Sequence, residues 1–416
     1  MTQTVQTQND ATVFLGRQPI FDRRQKVFGY ELLYRHNAQS NAATFTDGDL
    51  ASCQVINTGL NVLPFQEIVG DRRAFINVTR QLLIDRTYTV LPREHVVLEL
   101  LEEVQVDPFV LEACEQLKAD GYMLALDDFV YAPQARPLLQ YADIVKVDFR
   151  QSPPAQRREL ARRLSARHDM LLLAEKVETR EDFCDAIELG YAYFQGYFFC
   201  KPEILSRREL PAVKQSIIRF LHEVHRPEID YNRLEQTIKS DLSLSTKLLR
   251  YLNCAAIGLP NKLTSIRQGL ALLGEKQLRK WASLAALSSL ASDKPEELLC
   301  TCLARARFCE SLAIEARLAN QELDAFLMGL FSGMDALLDM PMDQAIKGLP
   351  VSPAVATALT GGDSPLARIY QLALAFENGD PPLLEQRAAA VSVSLNTASA
   401  LYWQALRWVD QSKLAA

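Results

Sequence analysis

No stretch of this chain carries the roughly 18 consecutive apolar residues that a membrane-spanning helix needs. The richest segment, WASLAALSSLAS at 281 to 292, is too short and too rich in serine. The N-terminal MTQTVQTQNDAT lacks both the basic start and the apolar run of a secretory signal, so residues 1–12 read as a short disordered tail. Basic excess is missing too. The formal net charge is −6, which offers no overall field to a nucleic-acid polymer or an anionic membrane. Eight cysteines occur without a CxxC pair, the pattern of a reduced, cytoplasmic chain with mostly buried thiols. Cys300 and Cys302 are close together, but no histidine follows to complete a zinc site. Histidine itself is scarce: five in all, and none beyond His225.

What is present is enough apolar material, 48% of 416 residues, for two domains or three. The two halves follow different patterns. Over residues 13–204, short apolar runs (KVFGYELLYR, RAFINVT, HVVLELLE, YMLALDDF, DIVKVDF, MLLLAEKVE, AYFQGYFF) alternate with amphipathic segments such as PFVLEACEQLKADG. Strict strand–helix alternation predicts a parallel α/β sheet, and seven or eight such units in so short a span predict a closed barrel. After KPEILSRRELP the strand pattern stops. Residues 205–416 have helical spacing, as in the stripe Leu278, Trp281, Leu284, Leu287 and Leu290, with Asp230 placed to cap a helix. That half is expected to be all-α.

The run LALDDFV, residues 124 to 130, puts two carboxylates side by side at the end of an apolar strand. Taken alone it reads as a surface turn, since Asp is common in turns and adjacent like charges repel. The same feature recurs, however. Glu31, Asn77, Glu99 with Glu102, Asp127 with Asp128, Lys146 with Asp148, Glu175 with Glu178, and Gln195 lie on seven of the apolar runs. In a parallel barrel all strand C-termini open on one face, where active sites are assembled. Several carboxylates converging there cannot all stay ionised without cations between them. An oxygen-rich set without His or Cys selects hard ions, Mg²⁺, Mn²⁺ or Ca²⁺. Two adjacent Asp side chains can each reach a different ion of a pair about 3.5–4 Å apart.

The order of these motifs resembles the EAL domain, a TIM-like (β/α)8 barrel that hydrolyses the bacterial second messenger cyclic di-GMP. The matching stretches are E31-L-L-Y-R35, N77, E99-L-L-E102, D127-D-F-V130, K146-V-D148, A174-E-K-V-E178 and Q195-G-Y197. The opening RQPIFDRRQKVFGYELLYR is similar to the subgroup that couples this barrel to an HDOD domain. The resemblance implies that Glu31, Asn77, Glu99, Asp127, Asp128 and Glu175 hold or flank two Mg²⁺ or Mn²⁺ ions, a site that Ca²⁺ fills without turnover. It implies that Lys146 lies beside the attacking water, with Glu175 as base and Gln195 nearby. Glu178 would help hold the site, Glu102 would brace the loop after the Asp pair, and Gln18 and Arg35 would contact the ligand, Arg35 through a phosphate. Three positions and one loop depart from the family pattern. The name motif has Leu32 in place of Ala, Val130 and Lys176 stand where the family has Gly, and VYAPQARP replaces its mobile Gly- and Ser-rich loop. Gly supplies freedom that Val and Pro remove.

The second half resembles HDOD, a degenerate relative of the HD metal-dependent phosphohydrolases, through SDLSLSTKLLRYLNCAA, SIRQGLALLG and Gly329-Leu330-Phe331. Where an HD enzyme carries His-Asp, this chain reads Ser332-Gly333, and the histidine ligands of an HD site are lacking. The resemblance implies a regulatory or protein-binding role there. Two functions stay open: a metal-dependent cyclic di-GMP phosphodiesterase, and a catalytically impaired receptor or scaffold that signals through the helical half. A barrel enzyme of enolate chemistry is disfavoured, because only one Lys and no His stands at a strand end. Monomer and homodimer are equally open. His222 and His225, three apart on an expected helix, read as surface residues.

Overall fold

A computed structural model describes residues 13–36, 69–164, 170–200, 211–252, 265–318, 320–378 and 381–415; the tail expected over 1–12 lies outside them. The chain divides into two compact units. The first runs through Phe198 and takes in 375–385 and 395–399; the second begins at Phe199 and takes the remainder.

In the first unit β1 (Val13–Asp22), β2 (Val27–His36), β3 (Arg73–Val78), β4 (Val96–Leu100), β5 (Met123–Leu126), β6 (Ile144–Asp148), β7 (Leu171–Glu175) and β8 (Tyr193–Gln195) close into a barrel in chain order. The expectation of an all-parallel sheet needs one correction. From β2 to β8 the neighbours are parallel, but β1, missed in the strand reading above, runs antiparallel to both β2 and β8. The reason is loop length. Four residues join β1 to β2, and the Asp22 carboxylate accepts the backbone N–H of Arg24 at 2.8 Å and of Lys26 at 2.9 Å to form a tight turn. A parallel connection needs a dozen or more residues. Longer connections carry helices α1 (Arg80–Ile84), α2 (Pro108–Ala119), α3 (Pro154–Leu164) and α4 (Arg180–Glu188). Asp107 begins α2 by accepting the N–H of Val110 at 2.9 Å, with Pro108 in the first turn, where its missing N–H costs nothing.

The barrel interior is layered by the two-residue period of its strands. Ile20, Phe75, Val97, Ala125, Ile144 and Leu173 form a fully buried apolar layer. Two residues onward on the parallel strands, on the same face, come Asn77, Glu99, Asp127, Lys146 and Glu175; on antiparallel β1 the matching position, two residues back, is Gln18. One layer of core therefore carries one layer of polar groups. Gly29 stands beneath Glu31, where a Cβ would come within 2.7 Å of the Arg73 carbonyl and 3.0 Å of the Phe75 ring.

The second unit is helical, beginning with α5 (Ala212–Val224), α6 (Tyr231–Ser240), α7 (Leu242–Leu252), α8 (Ile266–Leu290), α9 (Glu296–Glu315) and α10 (Glu322–Phe331). Asp230 caps α6, accepting from Asn232 and Arg233. α8 is two helices joined across Gly274 (φ 68°). Leu278, Trp281, Leu287 and Leu290 are core. α9 and α10 approach backbone to backbone at Gly329, where a Cβ would lie 2.5 Å from the Arg305 and Ala306 main chain. Gly329→Ala is expected to destabilise this unit by about 1–3 kcal/mol, read as a lower unfolding midpoint.

His222 is exposed and bonds the Gly348 carbonyl, but His225 departs from the surface reading. Its Nε2 is 2.8 Å from Ser283 Oγ, which itself donates to the Arg279 carbonyl, so the ring donates as a neutral imidazole. Burial, then the charges of Arg279 and His222, lower its pKa to about 4. A folded pKa below the unfolded 6.5 means the stabilising contribution is complete above pH 6.5 and is lost as pH falls toward about 4. The stability difference between wild type and His225→Gln is expected to shrink across that window by up to about 3 kcal/mol, measured by urea unfolding at pH 7.5 and 4.5.

Candidate active site at the strand ends of the barrel

Lys146 is the centre of the polar layer. It is completely buried, and its Nζ lies 2.7 Å from Asp127, 2.8 Å from both Glu99 and Glu175, and 3.6 Å from Glu31. Four strand ends, β2, β4, β5 and β7, thus deliver a carboxylate to one ammonium on β6. One ammonium is shared among four carboxyl groups, three of them within 2.8 Å. Burial alone would lower the lysine pKa, but the pull of Glu175, Glu31, Glu99 and Asp127 outweighs it and holds it well above the ordinary value. The carboxylates show the converse. Burial drives Glu99 well above its usual range against the attraction of Lys146, and burial raises Glu175 to about 8.

The neighbours of this ring are organised in turn. Gln195 on β8 donates from Nε2 to Glu31 at 2.6 Å and to Gln18 at 3.0 Å, fixing both. The Gln195 carbonyl accepts from the Val177 N–H at 2.9 Å, binding β8 to the loop after β7. Asp127 and Asp128, adjacent in sequence, are separated by the backbone: Asp128 has φ +40°, and while Asp127 faces Lys146, Asp128 faces Lys176 at 3.8 Å. Lys176 also has a left-handed backbone, φ +53°, and contacts Asp148 at 2.5 Å. Asp148 further accepts the N–H of Arg150 and Gln151. Burial would raise its pKa, but Lys176 and these two N–H groups hold it below the carboxylate range.

The structure gathers Glu31, Asn77, Glu99, Asp127, Asp128, Lys146, Glu175, Gln195 and Gln18 at one end of the barrel. Glu178 stands at its rim, paired with Arg150. Glu102 is exposed, with burial and the nearby negative charge of Asp128 and Asp127 raising its pKa. Arg35 belongs to β2, but its side chain lies outside the described residues. Sequence reasoning gave no role to Lys176, noted there only as a departure from Gly, and none to Asp148. Asp148 was within reach: two residues beyond Lys146 on a strand, it shares its face. Lys176 was not, because its two partners, Asp128 and Asp148, come from two other strand ends.

Whether a metal fits can be asked of the oxygens. Among the described residues, no three His, Cys, Asp or Glu are gathered in a ready-made cage, since the carboxylates ring Lys146 instead. Yet Asn77 Oδ1, Glu99 Oε2, Asp128 Oδ1, Glu175 Oε2 and Gln195 Oε1 are all buried and accept no hydrogen bond. Buried polar atoms are rarely left so. Four carboxyl groups also face a single ammonium, so the ring can carry more negative charge than Lys146 offsets once a cation favours their ionised forms. An oxygen-only donor set with surplus negative charge suits a hard divalent cation.

In the helical unit, the segment where an HD enzyme carries His-Asp is filled otherwise. Buried Arg305 donates to Ser332 Oγ at 3.1 Å, and that hydroxyl donates to the Gly329 carbonyl at 2.7 Å. Among the described residues no helix is long and apolar enough to cross a membrane.

Comparison with known proteins accords with this architecture. A family model described as the EAL domain matches residues 4–202, and one described as the HDOD domain matches residues 210–340. The protein named cyclic di-GMP phosphodiesterase CdgJ, from Vibrio cholerae serotype O1, is 36% identical over 398 residues, spanning 95% of this chain and 92% of that one. The uncharacterized protein YuxH of Bacillus subtilis is 35% identical over 378 residues, spanning 88% of this chain and 91% of that one. Among solved structures, an EAL domain protein from Listeria monocytogenes is 22% identical with a TM-score of 0.37, covering 45% of this chain and 87% of that one. With two relatives above 30% identity, each matched over more than 90% of its own length, and both domain models matched in order, the chain belongs to the EAL family, its barrel joined to an HDOD domain.

Proposed function

We infer that the barrel is a divalent-metal-dependent phosphodiesterase that opens cyclic di-GMP to the linear dinucleotide pGpG. The observation that carries this reading is the buried Lys146 ringed by four carboxylates and flanked by five oxygens without hydrogen bonds. The substrate is supported by the name of the Vibrio cholerae relative. Two Mg²⁺ or Mn²⁺ ions would be held by Glu31, Asn77, Glu99, Asp127, Asp128 and Glu175, with Ca²⁺ occupying the site without turnover. Bound there, such ions lower the pKa of water and offset phosphodiester charge. The chain's own groups do the rest. Glu175, at the end of β7 and 2.8 Å from Lys146, accepts a proton from the attacking water once bound cations hold it ionised. Water oxygen forms the new P–O bond, the bond to the bridging 3′ oxygen breaks, and that oxygen takes a proton from solvent to leave as the alcohol. Lys146 supplies positive charge to the developing oxyanion. Gln195 holds Glu31 and Gln18 in place. Gln18 and Arg35 contact the ligand, Glu178 holds the rim, and Glu102 supports the loop after the Asp pair. We take 13–204 as the catalytic domain and 205–416 as the domain that meets a protein partner, in a cytoplasmic protein.

A second reading, a receptor that binds without turnover, is favoured by one feature. The loop after Asp128 is pinned: Tyr131 is stacked by Arg136 and Arg163, each guanidinium 4.8 Å from the ring centre. The deciding experiment is hydrolysis of cyclic di-GMP by the full chain in Mn²⁺ or Mg²⁺, beside Glu31→Ala, with binding measured in Ca²⁺. Turnover reduced about a hundredfold or more in Glu31→Ala is expected. Binding in Ca²⁺ with no turnover in either metal would make the protein a receptor.

A further inference from the structure

The adjacent aspartates of LALDDFV are served by two different lysines. Lys146 is buried within the ring and partners Asp127; Lys176 comes from the loop after β7 and partners Asp128 and Asp148. Asp128 Oδ1 remains buried without a hydrogen bond, so the carboxylate keeps one oxygen with its lone pairs free while a cation stands beside the other. Lys176 occupies a left-handed backbone position that Gly would fill with less strain, yet its side chain crosses to two carboxylates from other strand ends.

We propose that Lys176 is a tethered cation that weakens metal binding at the position served by Asp128, so that the barrel holds one divalent ion firmly and a second only at higher concentration. The inference rests on the metal-site reading above and adds to it a residue that sets the unequal affinity of two ions. The physics is Coulombic. An ammonium 3.8 Å from Asp128 repels a divalent cation drawn to the same carboxylate, and its contact with Asp148 keeps it there. Its side chain is 44% exposed, so water screens the repulsion and the effect is moderate.

The test counts ions directly. Mn²⁺ is titrated into the full chain, without nucleotide, and free Mn²⁺ is followed by its electron paramagnetic resonance signal for wild type, Lys176→Met, Lys176→Gly and Lys176→Arg. Met keeps the length and the β-carbon and removes only the charge. It is expected to tighten the weaker class of sites about tenfold or more while leaving the tighter class unchanged. Arg is expected to behave as wild type, and thermal unfolding of each variant checks that the barrel is intact. Equal Mn²⁺ affinities in wild type and Met, or tightening by Gly but not by Met, would overturn the proposal, the latter because backbone relief and not charge would then be at work. Failure of every variant to bind Mn²⁺ would sink the metal site itself.

Discussion

Replacing Lys146 with methionine is expected to reduce hydrolysis of cyclic di-GMP by about a thousandfold or more, the upper end of the losses seen when one preorganised charge is removed from an active site. The reason is position. Lys146 is the one cation inside a ring of Glu31, Glu99, Asp127 and Glu175, and it is fully buried. Methionine fills nearly the same volume but leaves four carboxylates facing a thioether. Breaking a buried ion pair by deleting one partner costs about 3–5 kcal/mol, so the unfolding midpoint should fall as well. Product chromatography and circular dichroism melting, run on the same preparation, separate the two effects. A variant that still folds and retains turnover within tenfold of wild type would remove Lys146 from the mechanism.

The largest stability effect is expected at Gly196, next to Gln195. Its backbone has φ +143°, and an added Cβ would lie 2.1 Å from the Val177 carbonyl oxygen and 2.6 Å from the Val177 nitrogen. No side chain moves aside here, because the obstacle is backbone. That backbone is itself fixed, since Val177 donates to the Gln195 carbonyl and accepts from the Phe198 N–H. Gly196→Ala should therefore cost about 4 kcal/mol or more. For a unit of this size that means a fall in midpoint of about 10 °C or more, read by thermal unfolding. Activity should fall with it, since Gln195 orients both Glu31 and Gln18. A midpoint within 2–3 °C of wild type, roughly the shift of a 1 kcal/mol change, would show that the loop after β7 can yield.

Much of the barrel was legible before any coordinates. Apolar runs with a polar oxygen or nitrogen at the end mark strands β2 to β8, because side chains alternate faces and the last inward position lies at the end of the barrel where the polar groups gather. β1 was not legible as a separate antiparallel strand. Its polar and apolar residues are mixed, and only the four-residue turn to β2 reveals that the chain must reverse. The members of the site were found residue by residue; their roles relative to one another were not. Adjacent in sequence, Asp127 and Asp128 read as a pair, yet the left-handed backbone at Asp128 sends them to different lysines. His225 read as surface and is half-buried on Ser283, from a helix 58 residues onward.

By itself the sequence determined which residues can ionise, which strands carry them and at which end, since strand periodicity and composition are local properties. It determined as well that the helical half lacks the histidines of an HD centre. Only the tertiary structure decided that Lys146 is the buried centre of four carboxylates and that Lys176 stands over Asp128. Closure of the barrel brings together strand ends far apart along the chain. The strength of a charge then depends on distance and desolvation, which no stretch of sequence contains.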